Sequence, residues 1–177
     1  MTNQKNTVIL VNENDEWIGT MDKMEAHRSG ALHRAFSVFV VNSKNELLLQ
    51  QRAIEKYHSA GLWSNTCCSH PMPGESTIAA AHRRLQEEMG FDCKLQPSFT
   101  LRYQSEVGND LIENEYDHIY IGHYDGNVHL NKEEVHESRY VDLDTIQEWM
   151  TQEPKAFTTW FHLAFQKFVA HLQPQAV

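Results

Sequence analysis

The chain has 177 residues, of which 41% are hydrophobic and 22% are charged, and its formal net charge is −9. This length suits one globular domain with a substantial core and is short for two. The acidic balance argues against generic binding to nucleic acids or anionic membranes, since both carry negative charge. A negatively charged substrate would therefore need a local basic pocket or bridging metal ions.

The cysteines indicate a reducing compartment. Cys67, Cys68 and Cys93 are the three in the chain, and an odd count with two neighbours is not a disulfide framework. A cytoplasmic location is therefore expected. The N-terminal stretch MTNQKNTVIL does not have the pattern of a signal peptide, and no window approaches the roughly 18 apolar residues of a membrane span. The oligomeric state does not follow from these features; a monomer is expected.

The first predicted elements along the chain are strands. Val8–Val11 and Trp17–Thr20 read as short strands around a turn. Ala35–Val41 and Glu46–Gln51 are apolar runs around the turn residues 42–45, which predicts a hairpin. Ser59–Pro73, with its glycine and two prolines, is predicted to be a loop.

The second half of the chain is predicted to contain three helices and two strands. Thr77–Met89 is predicted to be a helix, with Glu75 or Ser76 as its cap and Gly90 as its stop. The remaining predicted elements are the strands Phe99–Ser105 and Glu115–His123 and the helices Leu143–Met150 and Phe157–His171. Together they predict a single α/β domain over residues 1–177, with helices packed over a mixed sheet and a core of about 7–165.

The segment SNTCCSHPMPGESTIAAAHRRLQEEMGF, Ser64 to Phe91, is the most informative one. Its helix is similar to the Nudix signature G-x5-E-x7-R-E-U-x-E-E-x-G-U, in which U is apolar. The matching positions are Glu75, Arg83, Leu85, Glu87, Glu88, Gly90 and Phe91. Ser69 stands where the first glycine is expected, and Arg84 replaces the glutamate of Arg-Glu. The chain thus resembles a metal-and-diphosphate enzyme that has lost part of the hydrolase apparatus and gained a thiol, Cys68.

Histidines and carboxylates elsewhere suggest a metal site. His27 and His33 flank a short glycine-containing segment, and His70 follows Cys68 by two residues. Glu113 and Glu115 point to one face if their segment is extended. Three imidazoles and two carboxylates suit octahedral Mn²⁺ or Mg²⁺, with Zn²⁺ or Fe²⁺ as alternatives. Each histidine alone is more often an ordinary residue, so only a fold that brings these segments together makes the site.

Several blocks together resemble the type I isopentenyl diphosphate isomerases, a divergent branch of the Nudix fold. The blocks are EAHRSGALHRAFSVFVVN, LLLQQRA, GLWSNTCCSHPMPGES, RRLQEEMGF, LRYQSE and ENEYDH, and the resemblance runs from about Thr7 to Phe165. It implies a Nudix-like α/β/α sandwich that binds Mg²⁺ and Mn²⁺, with Zn²⁺ as an alternative at the His/Glu site. It also implies interconversion of isopentenyl and dimethylallyl diphosphate in isoprenoid biosynthesis.

The same resemblance implies roles for particular residues. The implied metal ligands are His27, His33, His70, Glu113 and Glu115, with Glu88 holding a second, substrate-associated Mg²⁺. The implied catalytic groups are Cys68 and Glu115, with Tyr103 close to the glutamate. The implied substrate contacts are Lys23, Arg52, Lys56 and Arg84 for the diphosphate and Trp160 for the hydrocarbon.

Other interpretations remain open from the residues alone. A Nudix hydrolase of nucleoside diphosphate derivatives, or a non-catalytic ligand sensor, would share the fold. A structural zinc site could use Cys67, Cys68 and His70, although no CxxC partner pair exists. Trp160 is equally well explained as a core aromatic residue of an amphipathic helix, and the basic residues as solvated surface charges.

Overall fold

The computed structural model describes residues 6–172. Within this range the strands are β1 (Thr7–Val11), β2 (Trp17–Asp22), β3 (His33–Val41), β4 (Glu46–Arg52), β5 (Trp63–Ser64), β6 (Cys67–Ser69), β7 (Leu95–Glu106), β8 (Ile112–His123) and β9 (Val135–Asp142). The helices are α1 (Lys23–Ser29), α2 (Thr77–Met89), α3 (Leu143–Gln152) and α4 (Thr159–Leu172), with a 3₁₀ turn at Pro154–Ala156. None of the helices in this part of the chain is long and apolar enough to cross a membrane.

Strand β3 carries two buried faces, because successive side chains of a strand point to opposite sides of the sheet. Phe36, Val38 and Val40 belong to the core cluster that includes helix α2. Phe39 and Val41 belong to the second core cluster, which includes helices α3 and α4. Helices therefore cover the sheet on both sides, and the predicted α/β fold with a mixed sheet is confirmed.

The sheet is mixed because β3 pairs in parallel with β8 and antiparallel with β1, β4 and β6. β3 runs parallel to β8, with His33 opposite Glu115, and antiparallel to β6, with Ser37 opposite Cys68. β8 continues antiparallel into β7, and β4 pairs with both β5 and β9. The ends of β3, β6 and β8 thus meet in one region of the fold.

The predicted hairpin of β3 and β4 is wrong beyond its turn. The two strands share one bridge, Val41 with Leu47. Past it, the buried Thr66 separates them: its hydroxyl accepts from the Val40 N–H at 2.9 Å and donates to the Leu48 carbonyl at 2.7 Å. The predicted loop Ser59–Pro73 therefore contains β5 and β6, which take the hydrogen bonds that a hairpin would have formed.

Helix α2 begins and ends as predicted. Ser76 is its N-cap and accepts from the Ala79 N–H at 3.3 Å. Gly90 ends it in the left-handed region at φ 71°, and an added Cβ there would lie 2.3 Å from the His129 carbonyl oxygen. Glu75 is not the cap, because its carboxylate binds Arg83 through two hydrogen bonds of 2.8 Å.

Candidate active site

A cleft of about 330 Å³ opens where strands β3, β6 and β8 meet helices α1, α2 and α4. All but two of the predicted site side chains line this cleft. The exceptions are His27 and His33, which are completely buried and lie against His70. The fold thus collects side chains that are far apart in the sequence.

His27, His33, His70 and Glu115 form one cluster, whose candidate ligand atoms all lie within 4.8 Å of one another. The Nε2 atoms of His33 and His70 are 3.2 Å apart, and His70 Nε2 is 2.9 Å from Glu115 Oε1. His33 reaches Glu115 because the two residues are directly opposite in the parallel β3–β8 pair.

Backbone carbonyls determine which ring nitrogen carries the proton in two of these imidazoles. His27 Nδ1 donates to the Lys23 carbonyl at 2.6 Å, and His33 Nδ1 donates to the Ala31 carbonyl at 2.8 Å. Both rings therefore present the Nε2 lone pair to the cluster, which is the usual arrangement of metal-binding histidines. Among the described residues, His27 Nε2 has no hydrogen-bond partner although it is buried. A divalent cation fits this donor set and would satisfy that atom.

Burial and neighbouring groups control the charges in the cluster. Burial lowers the pKa of His70 to about 4, so its ring stays neutral at pH 7. Burial alone would raise the pKa of Glu115, but hydrogen bonds with His33 and His70 outweigh it and hold that pKa well below its usual value. Burial and the charge of Glu115 hold the pKa of Glu113 well above its usual value. One carboxylate of the pair is thus ionised and the other is prone to carry a proton.

Tyr103 connects the two carboxylates. It lies opposite Glu115 in the β7–β8 ladder. Its hydroxyl is 2.6 Å from Glu115 Oε2 and 3.1 Å from Glu113 Oε2. Since a phenol has one proton to donate, it can serve one of the two carboxylates at a time. Burial raises the pKa of Tyr103 well above its usual value, which keeps that proton in place.

Glu113 lies in a second group, with His27 and His58. His58 Nε2 is 3.4 Å from Glu113 Oε1, and the His58 side chain is only 5% exposed. Burial lowers the pKa of His58 to about 3. Sequence reasoning missed His58, because it lies between the predicted strand Glu46–Gln51 and the predicted loop Ser59–Pro73, and no motif or spacing distinguishes it.

The two adjacent thiols have different surroundings. Cys67 is fully buried in the core cluster with α2, whereas Cys68 lines the cleft. Consecutive strand residues point to opposite faces, which explains the separation. The thiols cannot join His70 in one zinc site, and the candidate metal-binding groups among residues 6–172 contain no cysteine. Burial raises the pKa of Cys68 well above its usual value, so it remains a thiol at neutral pH.

Basic side chains gather at the other end of the cleft. Lys56 forms an ion pair with Glu134, and Arg84 lies 3.4 Å from the same carboxylate. Arg84 also pairs with Glu88, which is almost completely buried and accepts from Gln50 Nε2 at 2.9 Å. Burial, with the neighbouring cations, lowers the pKa of Lys23. This end of the cleft is therefore a cationic site with carboxylates beside it.

Trp160 lies beside both a histidine and an arginine of the cleft. Its side chain is 3% exposed and belongs to the core cluster, and the residue also lines the cleft. The Arg52 guanidinium lies 5.3 Å from the indole centre, and the His58 ring meets it edge-on at 6.2 Å. Both interpretations of Trp160, core residue and cleft residue, therefore apply.

The fold is that of a NUDIX domain. The NUDIX family profile matches residues 31–161. The DR0079 protein of Deinococcus radiodurans superimposes with a TM-score of 0.77 at 16% identity, over 91% of this chain and 98% of that chain. The MutT protein of Methanosarcina mazei superimposes with a TM-score of 0.63 at 21% identity, over 78% of this chain and 94% of that chain. At these identities the likeness concerns the fold alone.

Relatives with similar sequences identify the family more narrowly than the fold does. The chain is 53% identical over 166 residues to the isopentenyl-diphosphate Delta-isomerase of Pectobacterium atrosepticum, covering 94% of this chain and 93% of that protein. It is also 53% identical over 160 residues to the protein of the same name from Burkholderia multivorans, covering 90% and 91%. The chain therefore belongs to the isopentenyl-diphosphate Delta-isomerase family of NUDIX proteins.

Proposed function

We propose that this protein isomerises isopentenyl diphosphate to dimethylallyl diphosphate by protonation and deprotonation, as a step of isoprenoid biosynthesis. The carrying observation is one cleft that contains a thiol, a buried carboxylate, an indole and a cationic end. The names of relatives that are 53% identical over nearly the whole chain support the same activity.

The chemistry needs two proton-transfer groups in a dry pocket. The terminal carbon of the alkene accepts a proton, which leaves a tertiary carbocation, and the carbon next to the CH₂–O group then loses one. Cys68 and Glu115 are the groups that we assign to these two transfers, and Tyr103 supports Glu115 through its 2.6 Å hydrogen bond. They come from β6 and β8, the two strands that flank β3. We leave open which of them gives the proton and which takes it.

The indole of Trp160 stabilises the carbocation in this proposal. A cation over a desolvated aromatic face gains about 2 kcal/mol or more, and the indole offers no nucleophile that would trap the intermediate. The Arg52 guanidinium lies 5.3 Å from the centre of the same ring, and in this proposal the diphosphate neutralises its charge when the substrate binds. The same Arg52, with Lys23, Lys56 and Arg84, binds the diphosphate.

We assign one divalent cation, Mn²⁺ or Mg²⁺ with Zn²⁺ as an alternative, to His27, His33, His70, Glu113 and Glu115. A second Mg²⁺, associated with the diphosphate, is assigned to Glu88. When bound, such ions polarise the coordinating carboxylate and neutralise diphosphate charge. The lone pair of the buried His27 Nε2 supports the first assignment. We propose a monomer that carries the complete set of assigned groups, and the three free thiols support a cytoplasmic setting.

The rival activity is hydrolysis of a nucleoside diphosphate derivative. The Arg84 side chain argues against it, because it fills the position of a Nudix glutamate and pairs with Glu87 and Glu88. A ligand sensor would not require the proton-transfer pair of Cys68 and Glu115.

Proton NMR of isopentenyl diphosphate with the protein, Mg²⁺ and Mn²⁺ in D₂O tests the proposal. We expect dimethylallyl diphosphate that carries deuterium, because the proton added to the alkene comes from a group that exchanges with solvent. Intact isopentenyl diphosphate, together with cleavage of a nucleoside diphosphate derivative in a parallel panel, would overturn the proposal in favour of the hydrolase.

A further inference from the structure

A fourth imidazole lies beside the three histidines assigned to the metal centre. His58, His27 and Glu113 form a donor group of their own, and all three side chains are buried. The group shares His27 with the cluster of His33, His70 and Glu115. His27 therefore joins the two groups, although the candidate ligand atoms of all six side chains do not lie within 4.8 Å of one another.

The contact between His58 and Glu113 is not that of an ordinary hydrogen-bonded pair. His58 Nε2 and Glu113 Oε1 are 3.4 Å apart, which is longer than the usual range of about 2.7–3.2 Å for such a bond. His58 Nδ1 has its own contact, with Ser59 Oγ at 3.2 Å. His58 Nε2 therefore faces a carboxylate oxygen, and the buried, unpartnered Nε2 of His27 is available to the same group. A shared cation would satisfy all three atoms.

The position of the His58 ring is fixed by its neighbours. The ring contacts Tyr57 edge-on at 4.5 Å and Trp160 at 6.2 Å. The His58 carbonyl accepts from Arg52 Nη2 at 3.3 Å. Such packing holds the imidazole against the cluster and reduces the conformational entropy that a bound ion would have to offset.

We propose that His58 is an additional ligand of the metal centre, so that one divalent cation meets four imidazoles and two carboxylates. The number of ions follows from His27. Its Nδ1 is occupied by the Lys23 carbonyl, so it has one lone pair to give, and one lone pair binds one cation. Six nitrogen and oxygen donors suit an octahedral ion. The inference rests on the proposed metal centre.

The test counts imidazoles directly. The protein is stripped with a chelator and loaded with Co²⁺, and its hyperfine-shifted N–H proton signals are recorded in H₂O and in D₂O. Each metal-bound imidazole with a protonated second nitrogen contributes one exchangeable signal. We expect four signals and one Co²⁺ per chain in the parent, and three signals in His58→Phe. The Mn²⁺ affinity of His58→Phe should fall by at least the 10–100-fold that loss of a supporting residue causes.

Four variants make the outcome decisive. His82→Phe removes an exposed imidazole that pairs with Asp92, and it should leave the signals and affinity unchanged. His33→Phe removes an assigned ligand. His58→Gln is a polar replacement that keeps the test possible if the His58→Phe protein does not fold. Unchanged signals and affinity in both His58 variants, with losses in His33→Phe, would overturn the His58 inference alone. Unchanged affinity in His33→Phe as well would overturn the metal centre itself. A second Co²⁺ per chain that is still bound in Glu88→Gln, and so does not occupy the site assigned to Glu88, would overturn the shared site.

Discussion

Gln50 links the cleft to the core, and replacing it with leucine should destabilise the fold. Its side chain is 3% exposed, and Nε2 donates to Glu88 Oε2 at 2.9 Å and to the Thr66 carbonyl at 3.1 Å. Gln50→Leu has a similar volume but removes both donors. It therefore leaves a buried carboxylate and a buried carbonyl each without one hydrogen bond.

The expected cost follows from these two acceptors. An unsatisfied buried acceptor costs about 1–3 kcal/mol, and more if it is charged, while the leucine regains part of the loss through apolar burial. We expect the free energy of unfolding to fall by about 3 kcal/mol. For a domain of this size that is a decrease of about 6–12 °C in Tm. In a Glu88→Gln background the charged acceptor is absent. The loss of unfolding free energy caused by Gln50→Leu should then be smaller by about 1 kcal/mol.

Urea denaturation followed by circular dichroism measures this cost. Gln51→Leu is the matched control, because Gln51 is half-buried on the same strand and donates one hydrogen bond, to the Gly61 carbonyl at 3.0 Å. The control should lose no more than about 1 kcal/mol. If Gln50→Leu unfolds within about 0.5 kcal/mol of the parent, as an ordinary surface change does, the two buried hydrogen bonds do not stabilise the fold as argued.

Cys68→Ala should abolish deuterium incorporation in the NMR assay while Cys67→Ala retains it, because only Cys68 lines the cleft; turnover by Cys68→Ala would contradict its role. Arg84→Glu should raise KM for isopentenyl diphosphate more than it lowers kcat, since the cation meets the diphosphate and not the alkene. An unchanged KM in steady-state assays would remove Arg84 from the binding site. Glu134→Gln should bind inorganic diphosphate more tightly in calorimetry, because Lys56 and Arg84 lose a competing carboxylate. Weaker binding would mean that Glu134 orients the cations instead.

Local signals account for the elements that were predicted well. Helix α2 has Ser76 at its start and Gly90 at its end, and both act on residues within one turn. Helix α1 was missed although a similar signal exists: the Asp22 carboxylate accepts from the Met24 and Glu25 N–H groups. The Asp22 cap could be recognised in the sequence, but the helix has only seven residues, too few to show a helical repeat of apolar residues.

Contacts between distant segments account for what the sequence could not predict. The hairpin prediction failed because Thr66 separates β3 from β4, and nothing near the turn indicates that insertion. The candidate ligands were assembled through the family resemblance, since their spacing carries no local motif. His58 had no such support, and only the fold brings it to Glu113.

The parallel pairing of β3 with β8 also orders events during synthesis. His27, His33 and His70 leave the ribosome well before Glu113 and Glu115, so the growing chain contains the three assigned imidazole ligands before these two assigned carboxylate ligands. Ligands of nitrogen and sulfur favour softer ions such as copper and zinc, whereas carboxylates suit magnesium and manganese. The complete ligand set of the proposed metal centre therefore exists only after β8 has been translated and has paired with β3.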